Sequence, residues 1–210
     1  MLSHEKAHWA KHPTAILVGI DEVGRGPLAG PVVACAVAMP PDIATQDVWN
    51  GITDSKQLTE VQREAFCTLL ENTHGVSIGL GWGSVDEIDA INILQATYRA
   101  MKKAVVALSP LRPDHALVDG NPVKGLPCPS TAIVKGDSKS LLIAAASIVA
   151  KVHRDRYMRE VAAKYPDYGF AEHKGYGTAE HLAALSKHGI CPEHRKTFRP
   201  VAELLQPNLF

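Results

Sequence analysis

A chain of 210 residues and 22.6 kDa can bury a full core and fits one domain with at most a small appendage. Apolar residues make up 46% and charged residues 21%, an ordinary globular mix that excludes an intrinsically disordered chain. No run approaches about 18 uninterrupted apolar residues, so no membrane span is expected. The opening Met1–His12 carries Glu5, Lys6 and Lys11 around no apolar core, so it is not a secretory signal, and a cytoplasmic monomer is the default expectation.

Cys35, Cys67, Cys128 and Cys191 are dispersed. None has the C-x₂₋₄-C spacing of a structural zinc site, and the lone Cys191-x-x-His194 lacks a second pair, so ordinary thiols are expected. The formal net charge of zero conceals an asymmetry: residues 1–134 carry 10 Lys/Arg against 14 Asp/Glu, and residues 135–199 carry 12 against 7. A locally basic face can attract a polyanion even on a neutral molecule.

In chain order, Ala15–Ile20 reads as a buried strand entering the tight turn Gly24-Arg25-Gly26-Pro27, and Val32–Met39 as its antiparallel partner, stopped by Pro40-Pro41. A loop over 41–55 leads to a helix over Glu60–Glu71. Gly75–Trp82 reads as a third strand weakened by its glycines. Ser84 and Glu87 have capping-box spacing, which predicts one helix from there to about Leu108. Short strands follow at His115–Val118 and Thr131–Val134. Lys139–Lys164 is the strongest helical segment, apolar and alanine-rich in its first half and therefore buried. Beyond Pro166 only helices are expected, around Ala179–Lys187 and Pro200–Leu205. The pattern predicts an α/β fold, a mixed sheet with helices on its faces and a helical tail region.

Carboxylates fall at the strand ends. Asp21 and Glu22 close the first strand, Asp119 closes a later one, and Asp137 lies where the next passes into the alanine-rich helix. Strand ends are where α/β sheets gather distant residues into a site. Neighbours on a strand face opposite ways, so Asp21 and Glu22 share a site only if the chain bends, as Gly24 and Gly26 would allow. Clustered carboxylates repel one another without a cation, and hard oxygen donors suit Mg²⁺ or Mn²⁺. Two ions about 4 Å apart would clamp the attacking and leaving oxygens of a phosphodiester. The alternative is a set of separate turn acids, Asp119-Gly120 being a common turn pair.

The run Gly19-Ile20-Asp21-Glu22-Val23-Gly24-Arg25-Gly26-Pro27-Leu28-Ala29-Gly30-Pro31 resembles the ribonuclease HII (type 2 ribonuclease H) family. So do Asp54-Ser55-Lys56, Val118-Asp119-Gly120, Lys135-Gly136-Asp137, Ile143–Lys151, Arg154-Asp155-Arg156, His173–Thr178 and His194–Phe198, in family order across most of residues 16–199. The resemblance implies a ribonuclease H-like mixed sheet: residues 13–165 as catalytic domain and 166–210 as a C-terminal helical region completing the substrate groove. It implies hydrolysis of the RNA strand of RNA–DNA hybrids, and nicking 5′ of single ribonucleotides in duplex DNA to leave 3′-hydroxyl and 5′-phosphate ends. Asp21, Glu22, Asp119 and Asp137 match the family's metal-binding acids, with two Mn²⁺ or Mg²⁺ ions in the catalytic complex. Gly24, Arg25 and Gly26 match the loop that recognises the ribonucleotide, and Tyr176 the ring that packs on the deoxyribose side of the junction. Lys56, Ser138, Lys139 and Lys151 are candidates for backbone phosphates, Lys151 also for a local ion network. His173, His181 and His188 are read as surface or capping residues. The rivals are a ribonuclease H confined to continuous hybrids and a non-catalytic nucleic-acid-binding module. Finally, Gln206–Phe210 resembles the short peptide by which bacterial replication proteins bind the sliding clamp, with Pro207 where a leucine is common; the alternative is that Leu209 and Phe210 fold back onto the core.

Overall fold

The computed structural model describes residues 1–205; Gln206–Phe210, and with them the clamp-peptide expectation, lie outside the described residues. Five strands form one mixed sheet in the order β3-β2-β1-β4-β5. β1 (Leu17–Val23), β2 (Val32–Ala38) and β3 (Ser77–Gly83) make an antiparallel meander, while β4 (His115–Asp119) and β5 (Ser130–Ile133) run parallel to β1. The mixed sheet flanked by helices is the predicted α/β, ribonuclease H-like architecture.

The alternation along β1 divides the core. Leu17 and Gly19 face helix α6 (Leu141–Lys164), whereas Val18 and Ile20 pack with the helix α5 (Ile93–Val106) on the other face. α6 comes so close that a Cβ on Gly19 would stand 2.2 Å from the Leu142 carbonyl carbon. The glycines of β3 have the same explanation. A Cβ on Gly79 or Gly81 would lie 2.1 or 1.9 Å from the carbonyl oxygen of Ala104 or Ala100. Residues that weaken a strand by propensity are here the ones that let an alanine-faced helix settle on the sheet.

The predicted helix from Ser84 to Leu108 is two helices. Ser84 and Glu87 do form the capping box of α4 (Val85–Ile91). At Asn92 the backbone turns to φ +67°, and its side chain accepts from Gln95 N (3.1 Å) to start α5. An asparagine supplies both the positive φ and the cap, so the apolar stripe continues while the axis breaks. The loop over 41–55 contains the short helix α2 (Pro41–Ala44) and a turn of 3₁₀ helix at Asp47–Trp49, and α3 spans Glu60–Asn72. α6 begins at Leu141 instead of Lys139, because Ser140 Oγ accepts from Ile143 N (3.2 Å) and sets the cap.

The polar opening segment folds. α1 (Ser3–Trp9) places the fully buried Glu5 at the start of α6, where its Oε1 accepts from Ser140 Oγ (2.6 Å) and Leu142 N (3.1 Å). A carboxylate there satisfies one first-turn N–H group, that of Leu142, and lies at the positive end of a 24-residue helix. After α6 come only helices among the described residues: α7 (Phe170–His173), α8 (Ala179–His188) and α9 (Arg199–Leu205), besides a turn of 3₁₀ helix at Pro166–Tyr168. No described helix is long and apolar enough to cross a membrane.

Candidate active site

Three of the four predicted acids meet at the carboxyl ends of the parallel pair β1 and β4. Ile20 lies opposite Val118 in the register, which sets Asp21 beside Asp119. Asp137 comes from the 3₁₀ turn Gly136–Ser138 between β5 and α6, entered through Lys135 at φ +56°. The turn is tied to its neighbour by Gly136 N donating to Asp119 Oδ1 at 2.6 Å. Carboxylate oxygens of Asp21, Asp119 and Asp137 all lie within 4.8 Å of one another.

Glu22 arrives differently. The predicted bend does not occur: the ladder with β2 runs regularly through Asp21–Cys35, Glu22–Ala34 and Val23–Val33. Asp21 and Glu22 therefore leave the strand in opposite directions, yet Glu22 stays close enough to the trio for its charge to raise Asp21 and for that of Asp119 to raise it. Glu22 lies at the rim, held by Arg25 Nη1 at 3.2 Å, while its N–H donates to Asp21 Oδ1 at 2.7 Å.

Electrostatically the cluster is short of positive charge. Burial, then the Glu22 and Asp119 charges, raise the Asp21 carboxyl well above the usual carboxylate range. Burial also raises Glu22, against the lowering effect of Arg25. Asp137 is raised by burial, Asp119 and Asp54, with Lys56 opposing. An all-oxygen trio in mutual repulsion fits a hard divalent cation, which would reverse each of these shifts. A cavity of about 410 Å³ lined by Pro13, Ile16, Met39 and Leu111 is at the opposite end of β1 from the cluster.

Two hydroxyls that sequence reasoning passed over support the trio. Ser147 of α6 faces Asp21, where its hydroxyl partly offsets the raising of that carboxyl, and its Oγ lies 2.8 Å from Ser55 Oγ. Ser55 thereby anchors the loop that presents the exposed Lys56 near Asp137. The available signal was a hydroxyl inside the apolar run Leu142–Val149. Ser138 is exposed, its Oγ donating to Lys135 O at 2.9 Å. Lys139 Nζ donates to Val134 O (2.7 Å), and Lys151 pairs with Asp155 at 2.7 Å within α6.

The Gly24-Arg25-Gly26 loop leaves β1 immediately beyond the acids. Gly24 sits at φ +89°, where a Cβ would collide with Arg154 Nε at 2.2 Å. Gly26 is exposed, and Tyr176, itself 44% exposed, lies just across from it: a Cβ on Gly26 would be 3.7 Å from Tyr176 Cε1. The exposed Gly26 backbone and the half-exposed Tyr176 ring thus face each other across the loop that follows the acids in the chain.

Beneath this loop lie residues whose roles the sequence did not reveal. Arg154 and Arg195 are fully buried and bond only backbone carbonyls. The basic excess over 135–199 accordingly overstates the charge on the surface. His181, expected at the surface, is also fully buried: it stacks on His173 (4.5 Å between rings) and its Nε2 meets His194 Nε2 at 3.0 Å. His188 is exposed. Cys67, Glu71 and His153 also bring ligand atoms within 4.8 Å. There His153 pairs with Glu71 at 2.8 Å, and burial pushes the Cys67 thiol up to about 12, the behaviour of an ordinary protonated thiol.

A ribonuclease H-like sheet with carboxylates gathered at its strand ends defines a phosphodiester hydrolase of the ribonuclease H class. The ribonuclease HII family model matches residues 18–201. Ribonuclease HII of Rhodospirillum rubrum is 54% identical over 189 residues, covering 90% of this chain and 86% of that protein. Among solved structures, ribonuclease H2 of Pyrococcus horikoshii aligns with a TM-score of 0.75 and 26% identity, over 91% of this chain and 98% of that one. Ribonuclease HII of Archaeoglobus fulgidus, solved in complex with PCNA, aligns with a TM-score of 0.72 and 26% identity over 87% and 95%. The chain belongs to the ribonuclease HII family, metal-dependent enzymes that hydrolyse the RNA strand of RNA–DNA hybrids.

Proposed function

We propose that the protein nicks duplex DNA on the 5′ side of single embedded ribonucleotides, besides cutting hybrids, and leaves 3′-hydroxyl and 5′-phosphate ends. The observation that carries this is the approach of the Gly24–Gly26 loop, which follows Asp21 and Glu22 directly in the chain, to the half-exposed Tyr176 ring, with the Asp21–Asp119–Asp137 trio gathered at the strand ends. Asp21 and Asp119 would be shared between two Mg²⁺ or Mn²⁺ ions, and Glu22, now paired with the half-exposed Arg25, and Asp137 would each complete one ion's shell. When bound, such ions would supply Lewis acidity for the attacking water and the leaving 3′-oxygen. Backbone groups of Gly24, Arg25 and Gly26 test for the 2′-hydroxyl, the donor and acceptor that separates RNA from DNA. Tyr176 packs on the neighbouring deoxyribose. Lys56 and Ser138 position the phosphates.

Cutting beside an isolated ribonucleotide requires both tests at one register, whereas a long hybrid offers many registers. Tyr176→Ala is therefore expected to lower kcat/KM on a duplex with one ribonucleotide about tenfold more than on a continuous hybrid. Equal losses would favour an enzyme that reads hybrids alone. Gln206–Phe210 is proposed as a sliding-clamp peptide, a reading supported by the PCNA complex of the Archaeoglobus fulgidus relative; Leu209 and Phe210 would be its apolar anchors.

A further inference from the structure

We propose that Arg195 and the His194–His181 pair are positioning residues for ribonucleotide selectivity, locking the Gly24–Gly26 loop and Tyr176 into one frame. The inference rests on the single-ribonucleotide reading above.

Arg195 reaches the loop from below. Its Nη2 donates to Gly24 O (2.5 Å) and Gly30 O (2.7 Å), its Nη1 to Arg25 O (3.0 Å) and its Nε to Gly30 O (2.9 Å). Arg154 holds the next stretch, donating to Pro31 O, Ala29 O and, in the segment before Tyr176, Lys174 O at 3.0–3.1 Å. Neither guanidinium pairs with a carboxylate among the described residues. Burial pushes Arg195 down to about 9 and lowers Arg154. Burying two cations without counter-charges is a poor way to stabilise a core. What a planar fork of donors does well is fix several carbonyls at set angles. The carbonyls chosen here belong to the loop that faces the sugar.

The residue before Arg195 carries the same constraint to Tyr176. Cys191 N donates to His194 Nδ1 (2.9 Å), so the His194 proton sits on Nε2 and is donated to His181 Nε2 at 3.0 Å. That assigns the His181 proton to Nδ1, which donates to Tyr176 O at 2.9 Å. Burial and the facing His181 hold His194 down to about 4, and burial lowers His181, so both rings are neutral near pH 7. The frame closes through backbone bonds, Leu28 N to Gly175 O and Arg195 N to Leu28 O, both 2.8 Å. The recognition loop, 170 residues from Arg195 in sequence, and Tyr176 are thereby fixed to one short segment, Cys191–Arg195.

Misplacing the loop or the ring by a fraction of an ångström should damage the double test and leave the carboxylate chemistry intact. For His181→Leu, kcat/KM on a duplex with one ribonucleotide is expected to fall about 10- to 100-fold, and on a continuous hybrid no more than about threefold. His181→Asn, which keeps a donor at the Nδ1 position, should recover most of the lost ratio. Arg195→Lys, which keeps charge but not the fork, should lower the ratio as His181→Leu does. Should Arg195→Lys fail to fold, the His181 pair decides alone. Equal losses on the two substrates, or no recovery with asparagine, would overturn the positioning role while the wild type still nicks. A wild type that leaves the single ribonucleotide uncut would remove the underlying reading and the inference with it.

Discussion

Asp21→Asn is expected to lower turnover on an RNA–DNA hybrid by about 10³-fold or more, a loss of roughly 4 kcal/mol of transition-state stabilisation. Duplex binding measured in Ca²⁺ should stay within about threefold, because phosphate contacts made elsewhere dominate affinity. Asparagine preserves the size of Asp21 and its role as acceptor for Glu22 N at 2.7 Å. What disappears is a buried carboxyl that burial, Glu22 and Asp119 make costly to ionise. In chelator the variant's thermal midpoint should consequently rise, since a repulsive site has been neutralised. The stabilisation that Mn²⁺ gives the wild type should shrink in the variant. A variant that melts lower and loses activity in proportion would instead mark Asp21 as a structural residue.

The second large effect lies in the core. Gly81→Ala is expected to destabilise the protein by about 3 kcal/mol, because the added methyl would stand 1.9 Å from the Ala100 carbonyl oxygen. The obstacle is backbone, so α5 must lift from the sheet; no side-chain rotation relieves it. Gly26→Ala provides the control for stability: its methyl meets only Tyr176 Cε1, at 3.7 Å. Chemical denaturation of the two variants separates a glycine required for helix–sheet packing from one required at the substrate face. Equal midpoints would mean that α5 is not held as close to β3 as described.

The contrast explains what could be read from the chain alone. Strands and the long helix were legible because burial writes itself into local pattern: Val32–Met39 is continuously apolar, and Leu141–Val152 almost so. The acids were legible because Asp21, Asp119 and Asp137 follow apolar runs where strands end. The break at Asn92 was not, because the apolar periodicity passes through it unchanged. α1 was not, because its partner is Ser140, 135 residues away from Glu5. Glu22 shows a rule working in one direction only. Strand alternation predicted opposite faces, and the expected bend, introduced to bring the pair together, is absent from the regular register.

Buried polar residues were the least legible part of the site. Nothing local to Arg195 or His181 indicates that either is inside, since burial of an arginine or histidine depends on which carbonyls the fold brings to it. Ser147 was the exception in principle, a hydroxyl within an apolar helix that faces Asp21 and meets Ser55 Oγ at 2.8 Å. The ribonuclease HII resemblance had already linked the blocks containing Arg154 and Arg195 to the carboxylates. It supplied their order, and the geometry supplies the reason they occur together.

The central claim, that a cation-dependent carboxylate cluster cuts beside a ribonucleotide recognised by Gly24–Gly26 and Tyr176, has one direct test. A labelled DNA duplex with a single internal ribonucleotide is incubated with the protein in Mg²⁺, in Mn²⁺ and in chelator, and the product ends are mapped. The expected result is one nick 5′ of the ribonucleotide, with 3′-hydroxyl and 5′-phosphate ends, in either metal and none in chelator. A cut that persists in chelator, or that leaves a 2′,3′-cyclic phosphate from attack by the ribose hydroxyl itself, would contradict it.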